Sequence, residues 1–227
     1  MTYIPTLLAG LVLSITIGLL AYRRGSLSGS GVVGAGLTGT LIFGLGGWVW
    51  GLTLITFFVS SSALSHYREN AKEALSEKFA KGQRRDLGQT LANGGLGAAL
   101  AVAHAAWPHP VLFTAFLGAM AAVNADTWAT ELGVFNPARP RLITSGRQVE
   151  VGTSGGVSRL GLLASAAGAL LIGLAALLFA RAIGLTGLGD SPRTGGWTVV
   201  VALAAGLAGS LVDSLLGASV QAIYYCP

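Results

Sequence analysis

Three acidic residues stand inside otherwise apolar stretches of this sequence: Asp126, Glu131 and Asp213. An ionised carboxylate at the centre of a membrane-spanning helix costs about 2.5–3.5 kcal/mol on insertion scales, so folding alone does not select three of them. Such residues bind ions or move protons, or they pair with a cation or a backbone amide as structural contacts. A functional role explains Asp126 and Asp213 best, whereas Glu131 lies nearer the membrane surface, where a charge costs less.

The spacing of two of these acids limits how they act together. Asp126 and Glu131 are five positions apart, about 140° around the axis of a regular helix, so one face of the helix does not carry both. Asn124, Thr127 and Glu131 share a face, at spacings of three and four residues. The sequence therefore predicts a helix with polar groups on two sides, next to an aqueous pocket.

The segment 134–158 is rich in glycine and arginine, and it ends with Gly152-Thr153-Ser154-Gly155-Gly156 just before an apolar stretch. Glycines let backbone amides approach an anion, and the helix N-terminus that follows adds partial positive charge. Arg139, Arg141 and Arg147 supply planar donors that suit phosphate. The segment is not a Walker A motif, and a plain cap and turn is the alternative for its glycines.

A second polar stripe starts at Asp86, after the basic cluster KGQRRD that contains Arg85. Asp86, Gln89 and Asn93 follow spacings of three and four residues at the start of a predicted helix. This stripe indicates an edge that faces a ligand, with hydrogen bonds between helices as the alternative.

The elements that position these residues are predicted to be membrane helices. Of the 227 residues, 52% are hydrophobic and 10% are charged, whereas a soluble domain carries about 25% charged residues. The composition therefore excludes a water-soluble fold, and the single Cys excludes a disulfide scaffold. A bilayer-crossing helix needs about 20 mostly apolar residues. The sequence predicts seven such helices, at 4–22, 32–47, 48–65, 87–107, 110–133, 160–181 and 196–219, in a single all-α polytopic membrane domain over residues 1–227.

Basic residues predict the orientation of these helices. Of the 14 Lys and Arg residues, only Arg181 and Arg193 fall at one set of helix ends, and the others fall at the opposite ends. The positive-inside rule then places the N-terminus outside and the C-terminus in the cytoplasm. A polar arm at 66–86, expected to be helical, and the loop 134–158 would both be cytoplasmic. The same asymmetry explains the net charge of +5 without nucleic acid, and the first span is expected to be a retained anchor.

Together these features predict a site for phosphoryl or nucleotidyl transfer. Acidic side chains for a divalent cation, arginines and a glycine-rich helix start are its usual components. At the inner surface of a membrane, such a site suits an amphiphile whose tail stays in the lipid. An acceptor that is already a monophosphate is largely ionised near neutral pH and needs no strong general base.

Four segments resemble phytyl-phosphate kinase and its bacterial, archaeal and eukaryotic relatives: NADTWATELG (124–133), RLITSGRQVEVGTSGGVS (141–158), GSLVDSLLGASVQ (209–221) and RDLGQTLANGG (85–95). The resemblance spans nearly the whole chain, and the family is similar to phytol and dolichol kinases. It implies a kinase of the cell membrane that converts an isoprenyl monophosphate, such as phytyl phosphate, to the diphosphate. The donor would be CTP or another nucleoside triphosphate, with Mg²⁺, at a cytoplasmic active site.

The resemblance also implies roles for residues of this chain. Asp126 and Asp213 would be metal ligands, with Glu131 as a third, and Arg147 would assist catalysis. The residues implied to hold the nucleotide or complete its pocket are Gly152, Thr153, Ser154, Gly155, Gly156, Arg85, Asp86, Gln89, Asn93 and Asn124. Relatives commonly continue past the segment QAIYYCP with another polar stretch and a final apolar one, so the chain is expected to be cut short there.

Two alternatives stay open from the sequence. A CTP-dependent lipid nucleotidyltransferase would release pyrophosphate instead of CDP. An ion-coupled transporter would use Asp126 and Asp213 to carry protons or Na⁺, and it predicts paired acids near the bilayer midplane with access from both sides.

Overall fold

The computed structural model describes residues 3–67, 84–186 and 195–220. Its helices are α1 (Ile4–Arg23), α2 (Gly29–Gly46), α3 (Trp48–His66), α4 (Leu87–Ala106), α5 (Pro110–Gly133), α6 (Arg159–Thr186) and α7 (Trp197–Ser219). Two short antiparallel strands, β1 (Arg141–Leu142) and β2 (Gly156–Val157), lie in the loop between α5 and α6. The predicted all-α architecture is confirmed, and each of these helices matches a predicted span.

Six of these helices are long and apolar enough to cross a membrane: α1, α2, α3, α5, α6 and α7. The remaining one, α4, has a matching length of 20 residues. Its first two turns carry Gln89 and Asn93, and these polar residues lower its hydropathy.

Local capping explains where the helices begin. Helix α2 starts at Gly29, three residues before its predicted start, because the Ser28 Oγ accepts a hydrogen bond from the Gly31 N–H at 3.1 Å. The chain turns from α2 into α3 at Gly47, whose φ of +86° is in the left-handed region that favours glycine. Helix α5 starts at Pro110, with the His109 Nδ1 accepting from the Val111 N–H at 3.2 Å.

The helices pack as two groups joined by α3. Helices α1, α2 and α4 pack together on one side, and α5, α6 and α7 pack together on the other. Helix α3 contacts α2, α5 and α6, and α4 also contacts α5. The apolar core lies where the groups meet, around a fully buried Trp50 whose ring stacks on Phe116 with centroids 4.4 Å apart. This arrangement places α5 at the centre of the molecule.

The turn between α1 and α2 is joined to the segment before α4 by two backbone hydrogen bonds. The Arg85 N–H donates to the Ser26 carbonyl, and the Ser28 N–H donates to the Arg85 carbonyl, each at 3.0 Å. Leu27, between these two serines, is fully buried. This strap, residues 26–28 with Arg85, closes one end of the α1, α2 and α4 group.

Gly31→Ala is expected to destabilise the protein by about 1–3 kcal/mol, the usual cost of overpacking. A Cβ at position 31 would overlap the Arg85 carbonyl oxygen of the strap. Gly29→Ala is the matched control, because a Cβ there meets nothing within 4 Å. We expect a lower thermal midpoint in detergent for Gly31→Ala alone, and equal midpoints for the two variants would contradict this packing.

The predicted arm at 66–86 falls mostly outside the described residues, so its expected helix is not tested. Arg68, Lys72, Lys78 and Lys81 of that arm also lie outside the described residues, as does Arg193. Arg23, Arg84 and the loop between α5 and α6 lie at one end of the bundle, as the charge pattern predicts.

Candidate functional site

Two of the three acidic residues predicted to lie in membrane helices face each other across the interface of α5 and α7. Asp126 lies on α5 and Asp213 on α7, and their carboxyl groups are close enough to hydrogen-bond to one another. Asp126 is partly buried, whereas Asp213 is exposed. Two carboxyl groups at this distance repel one another when both are ionised, so they either share a proton or bind a cation.

The acid pair lines a cavity of about 330 Å³ at the loop end of α5, α6 and α7. This volume is at the lower end of the range for small-molecule sites, about 300–1,000 Å³. Hydroxyl groups supply much of the remaining polar wall, from Thr130, Thr153, Ser154, Ser158, Ser210 and Ser214. The lining includes no Lys or Arg among the described residues, so carboxylate and hydroxyl oxygens dominate the chemistry of the wall.

Glycines allow α7 to approach α5 and α6 closely beside the acids. A Cβ at Gly206 would lie 2.4 Å from the Cβ of Ala169 and 3.2 Å from the Ala121 carbonyl oxygen. A Cβ at Gly209 would lie 2.4 Å from the Cβ of Ala122. The small residues before Asp213 therefore serve close packing of the helices around the acid pair.

The glycine-rich segment 152–156 forms the roof of the cavity and docks on the end of α7. Gly155 has a φ of +76°, and a Cβ there would lie 2.7 Å from the backbone N and Cα of Ala218. A Cβ at Gly217 would overlap the Ser154 Oγ. These contacts bring the segment next to Asp213, four residues before Gly217, as the sequence predicts.

The backbone of the roof is held by local turns and by the short sheet. The Gly156 N–H donates to the Thr153 carbonyl at 3.0 Å, and the Ile143 N–H donates to the Gly155 carbonyl at 3.0 Å. Side chains already cap the start of α6: the Ser158 Oγ accepts from the Gly161 N–H at 3.1 Å, and the Asn136 Oδ1 accepts from the Leu160 N–H at 3.2 Å. Part of the predicted anion-binding capacity of this helix start is therefore used within the protein.

Glu131 lies apart from the acid pair, on the α3 side of α5. Its Oε1 accepts a hydrogen bond from the Ser65 Oγ at 2.7 Å, and the Arg85 guanidinium attracts its charge. The physical reason is the angle of about 140° between positions five residues apart. The structure therefore does not bring the three predicted metal ligands together, and in its described part no three His, Cys, Asp or Glu side chains converge.

Asn124 is fully buried and ties α5 to α3 and α6. Its Oδ1 accepts from the Ser60 Oγ at 3.1 Å and from the Ser61 Oγ at 3.2 Å. Its Nδ2 donates to the Gly168 carbonyl at 2.8 Å. The amide is thus committed to helix packing, and Asn124 lies outside the cavity lining.

The predicted stripe at the start of α4 separates into two environments. Asp86 and Gln89 form a capping box, in which the Asp86 Oδ1 accepts from the Gln89 N–H at 2.9 Å and the Gln89 Oε1 accepts from the Asp86 N–H at 3.0 Å. Asn93 and Arg85 instead line a second, apolar cavity between α1, α2, α3 and α4. None of the four lines the cavity of the acid pair.

The arginines of the α5–α6 loop lie on its exposed side. Arg141 donates from its Nη1 to the Gly146 carbonyl at 2.8 Å, which closes the turn at 142–147. Arg147 and Arg139 are exposed and do not line the cavity. Arg147 was predicted to assist catalysis, but in this arrangement it does not line the cavity of the acid pair.

Sequence reasoning missed the hydroxyl groups of α7 that flank the acid pair. Ser210 and Ser214 line the cavity with Asp213, and their spacing of four residues puts them on one face of the helix. The signal was present in the pattern SLVDS, which places a polar residue three positions before and one position after the acid.

Comparison with known proteins gives relatives over nearly the full chain. The chain is 35% identical over 236 residues to Protein PGR of Arabidopsis thaliana, covering 97% of this chain and 81% of that protein. It is 31% identical over 215 residues to an uncharacterized membrane protein of Methanocaldococcus jannaschii, covering 93% and 82% respectively. No solved structure matches it. The family model described as "Integral membrane protein DUF92" matches residues 12–227, and the chain belongs to that family of integral membrane proteins.

Proposed function

We propose that this protein is a membrane kinase that transfers a phosphoryl group from CTP, or another nucleoside triphosphate, to an isoprenyl monophosphate such as phytyl phosphate. The observation that carries the proposal is the acid pair, Asp126 and Asp213, at hydrogen-bonding distance in a polar cavity under a glycine-rich roof. The resemblance of the four sequence segments to phytyl-phosphate kinase supplies the substrate class.

The donor atoms of the cavity fit Mg²⁺. This ion prefers oxygen ligands, and in phosphate-transferring sites one or two carboxylates hold it together with substrate phosphates. Asp126 and Asp213 supply two carboxylates, and neighbouring hydroxyl groups add neutral oxygens. Bound there, Mg²⁺ would neutralise phosphate charge, so that two polyanions can approach one another.

The residues of the roof would hold the donor nucleotide. Thr153 and Ser154 carry hydroxyl groups into the cavity, and Gly155 lets the backbone run close to α7. Groups of this type bind phosphate oxygens without a large side chain in the way. A donor bound in this way would have its terminal phosphate beside the acid pair.

The acceptor needs little activation. The second pKa of a phosphate monoester is about 6, so its oxygen is already a nucleophile at neutral pH. That oxygen attacks the terminal phosphorus of the donor, the bond from that phosphorus to the bridging oxygen breaks, and a nucleoside diphosphate leaves. The site therefore works without a dedicated general base, and its catalytic contribution is positioning and electrostatic stabilisation.

The position of the cavity supports an enzyme over a transporter. Its lining residues from α5 and α7 lie at 126–133 and 210–214, in the halves of these helices nearest the roof. An ion-coupled transporter needs access to its acids from both membrane faces. A cavity confined to one end suits a lipid substrate that presents its phosphate at that surface.

The test is a product analysis with the purified protein in lipid nanodiscs. Phytyl, geranylgeranyl and farnesyl phosphates are each supplied with CTP, ATP, GTP or UTP, in Mg²⁺ or in excess EDTA. We expect Mg²⁺-dependent formation of the prenyl diphosphate together with the nucleoside diphosphate. Pyrophosphate and a CDP-lipid would identify a nucleotidyltransferase instead, and no turnover in any combination would refute the proposal.

A further inference from the structure

A second cavity, of about 80 Å³, lies between α1, α2, α3 and α4 and is apolar over most of its wall. Side chains such as Ile17, Phe43, Leu54 and Phe58 line it. The hydroxyls of Thr38 and Thr90 also face this region, but each donates to a backbone carbonyl of its own helix, at 2.9 Å for Thr38 and 2.9 and 3.0 Å for Thr90. Ser14 and Asn93 add further polar atoms to the lining, and aliphatic and aromatic side chains make up most of the wall.

One cation borders this apolar cavity. The Arg85 side chain lines it, with its guanidinium 5.9 Å from the centre of the Phe58 ring. Within the described residues, its side chain makes one hydrogen bond, which Nη1 donates to the Ser62 Oγ at 3.0 Å. A guanidinium has five N–H donors, so most of the Arg85 donors have no protein partner within the described ranges.

The position of Arg85 is fixed by its backbone, and its charge is only partly compensated. The strap holds its N–H and its carbonyl, so the side chain leaves from a rigid point. Burial lowers the pKa of Arg85 from its usual value, and attraction to Glu131 opposes this change. A partly desolvated cation with open donors gains most from an anionic partner.

The surface around the cavity is basic. Arg23 and Arg24 are exposed at the end of α1, and Arg84 is exposed beside the turn at Gly25. Among the described residues, the nearby acids are Glu131, which accepts a hydrogen bond from Ser65, and Asp86, which is held in its capping box. Basic pockets between membrane helices are the sites where headgroups of anionic lipids bind.

We propose that the cavity between α1 and α4 is a binding site for an anionic phospholipid of the bilayer, whose phosphate is bound by Arg85 and one of whose acyl chains fills the apolar space. A chain segment there would gain van der Waals contacts with the aliphatic and aromatic side chains of the wall. The site shares no lining residue with the cavity of the acid pair, and α5 stands between them. The proposal is therefore independent of the kinase reaction.

The experiment measures lipid binding by the purified full chain in detergent. Phosphatidylglycerol is titrated with thermal stability as the readout, and phosphatidylcholine serves as the uncharged comparison. We expect saturable stabilisation by phosphatidylglycerol only. Arg85→Gln is expected to raise the half-saturating concentration roughly tenfold, through loss of the charge-assisted contacts. Equal stabilisation by both lipids, or an unchanged titration for Arg85→Gln, would overturn the proposal.

A second variant keeps the test valid if Arg85→Gln does not fold. Ala35→Leu adds three carbon atoms at a position that lines the cavity, and Ala99→Leu, exposed on α4 and outside the lining, is its matched control. We expect a weakened titration for Ala35→Leu and an unchanged one for Ala99→Leu. Equal behaviour of the two variants would refute the site.

A phosphatidylglycerol with a photoactivatable acyl chain locates the chain directly. We expect it to label peptides of α1 to α4, and labelling confined to other helices would overturn the assignment. Geranylgeranyl phosphate is added as a competitor, because a bilayer phospholipid and a prenyl-phosphate substrate both carry a phosphate and an apolar chain. Displacement of the phospholipid by this competitor at stoichiometric concentration would show a substrate site instead of a bilayer-lipid site.

Discussion

Asp126→Asn and Asp213→Asn are each expected to lower prenyl-diphosphate formation by about 100- to 1,000-fold, the loss that follows removal of one electrostatic group from an active site. Each change keeps the shape of the side chain and removes half of the anionic charge that would hold Mg²⁺. The carboxyl groups face one another across the interface of α5 and α7. A metal ion bound between them would use both, so the remaining carboxyl group would not compensate for the lost one. Initial rates at saturating Mg²⁺ and nucleotide measure the effect.

The same variants are expected to be at least as thermostable as the unchanged protein. Two carboxyl groups within hydrogen-bonding distance destabilise the fold when both are ionised, and an amide relieves that repulsion. Added MgCl₂ should therefore raise the thermal midpoint of the unchanged protein and leave the midpoints of both variants unmoved. A loss of activity with no loss of stability is the result expected when a functional residue is replaced.

Two further variants serve as controls. Glu131→Gln should keep the stabilisation by Mg²⁺, because Glu131 contacts Ser65 and lies on the other side of α5. Glu150→Gln changes an exposed acid of the loop outside the cavity and should keep both turnover and the Mg²⁺ response. Full turnover in both Asp126→Asn and Asp213→Asn would show that the acid pair is not the metal site.

The fold was predictable from the sequence because its main determinant is local. A run of about 20 apolar residues fixes a membrane helix by itself, so the predicted spans match the helices to within a few residues at most ends. The larger differences lie at the start of α2 and at the end of α6. Ser28 starts α2 three residues early, and α6 continues to Thr186, past the predicted end at 181.

The site was predictable in part, because only some of its determinants are local. The rarity of acids in membrane helices identified Asp126 and Asp213, and the glycines before α6 identified the roof. The partners of the other polar residues depend on tertiary packing. The Asn124 amide is hydrogen-bonded to Ser60 and Gly168, and Asp86 caps its own helix. Spacing alone does not distinguish these structural uses from ligand binding.

Gly155→Ala is expected to lower turnover about 100-fold while leaving the helical bundle folded. The added Cβ would lie 2.7 Å from the backbone N and Cα of Ala218 on α7, and backbone atoms cannot rotate away as a side chain can. The roof must then shift by a few tenths of an ångström or more. A misplacement of about 1 Å at a positioned catalytic group costs about 100-fold in rate. Turnover and the KM for the nucleotide measure the effect.

Gly146→Ala separates this contact from backbone strain. Gly146 has a φ of +69°, close to the +76° of Gly155, so alanine at either position carries a similar cost, roughly 1–2 kcal/mol. A Cβ at Gly146, however, meets nothing within 4 Å. We therefore expect both variants to lose stability and only Gly155→Ala to lose turnover. If the two variants lost turnover equally, strain in the loop would be the cause. The difference in turnover between the variants measures how much catalysis depends on the docking of the roof against α7 beside Asp213.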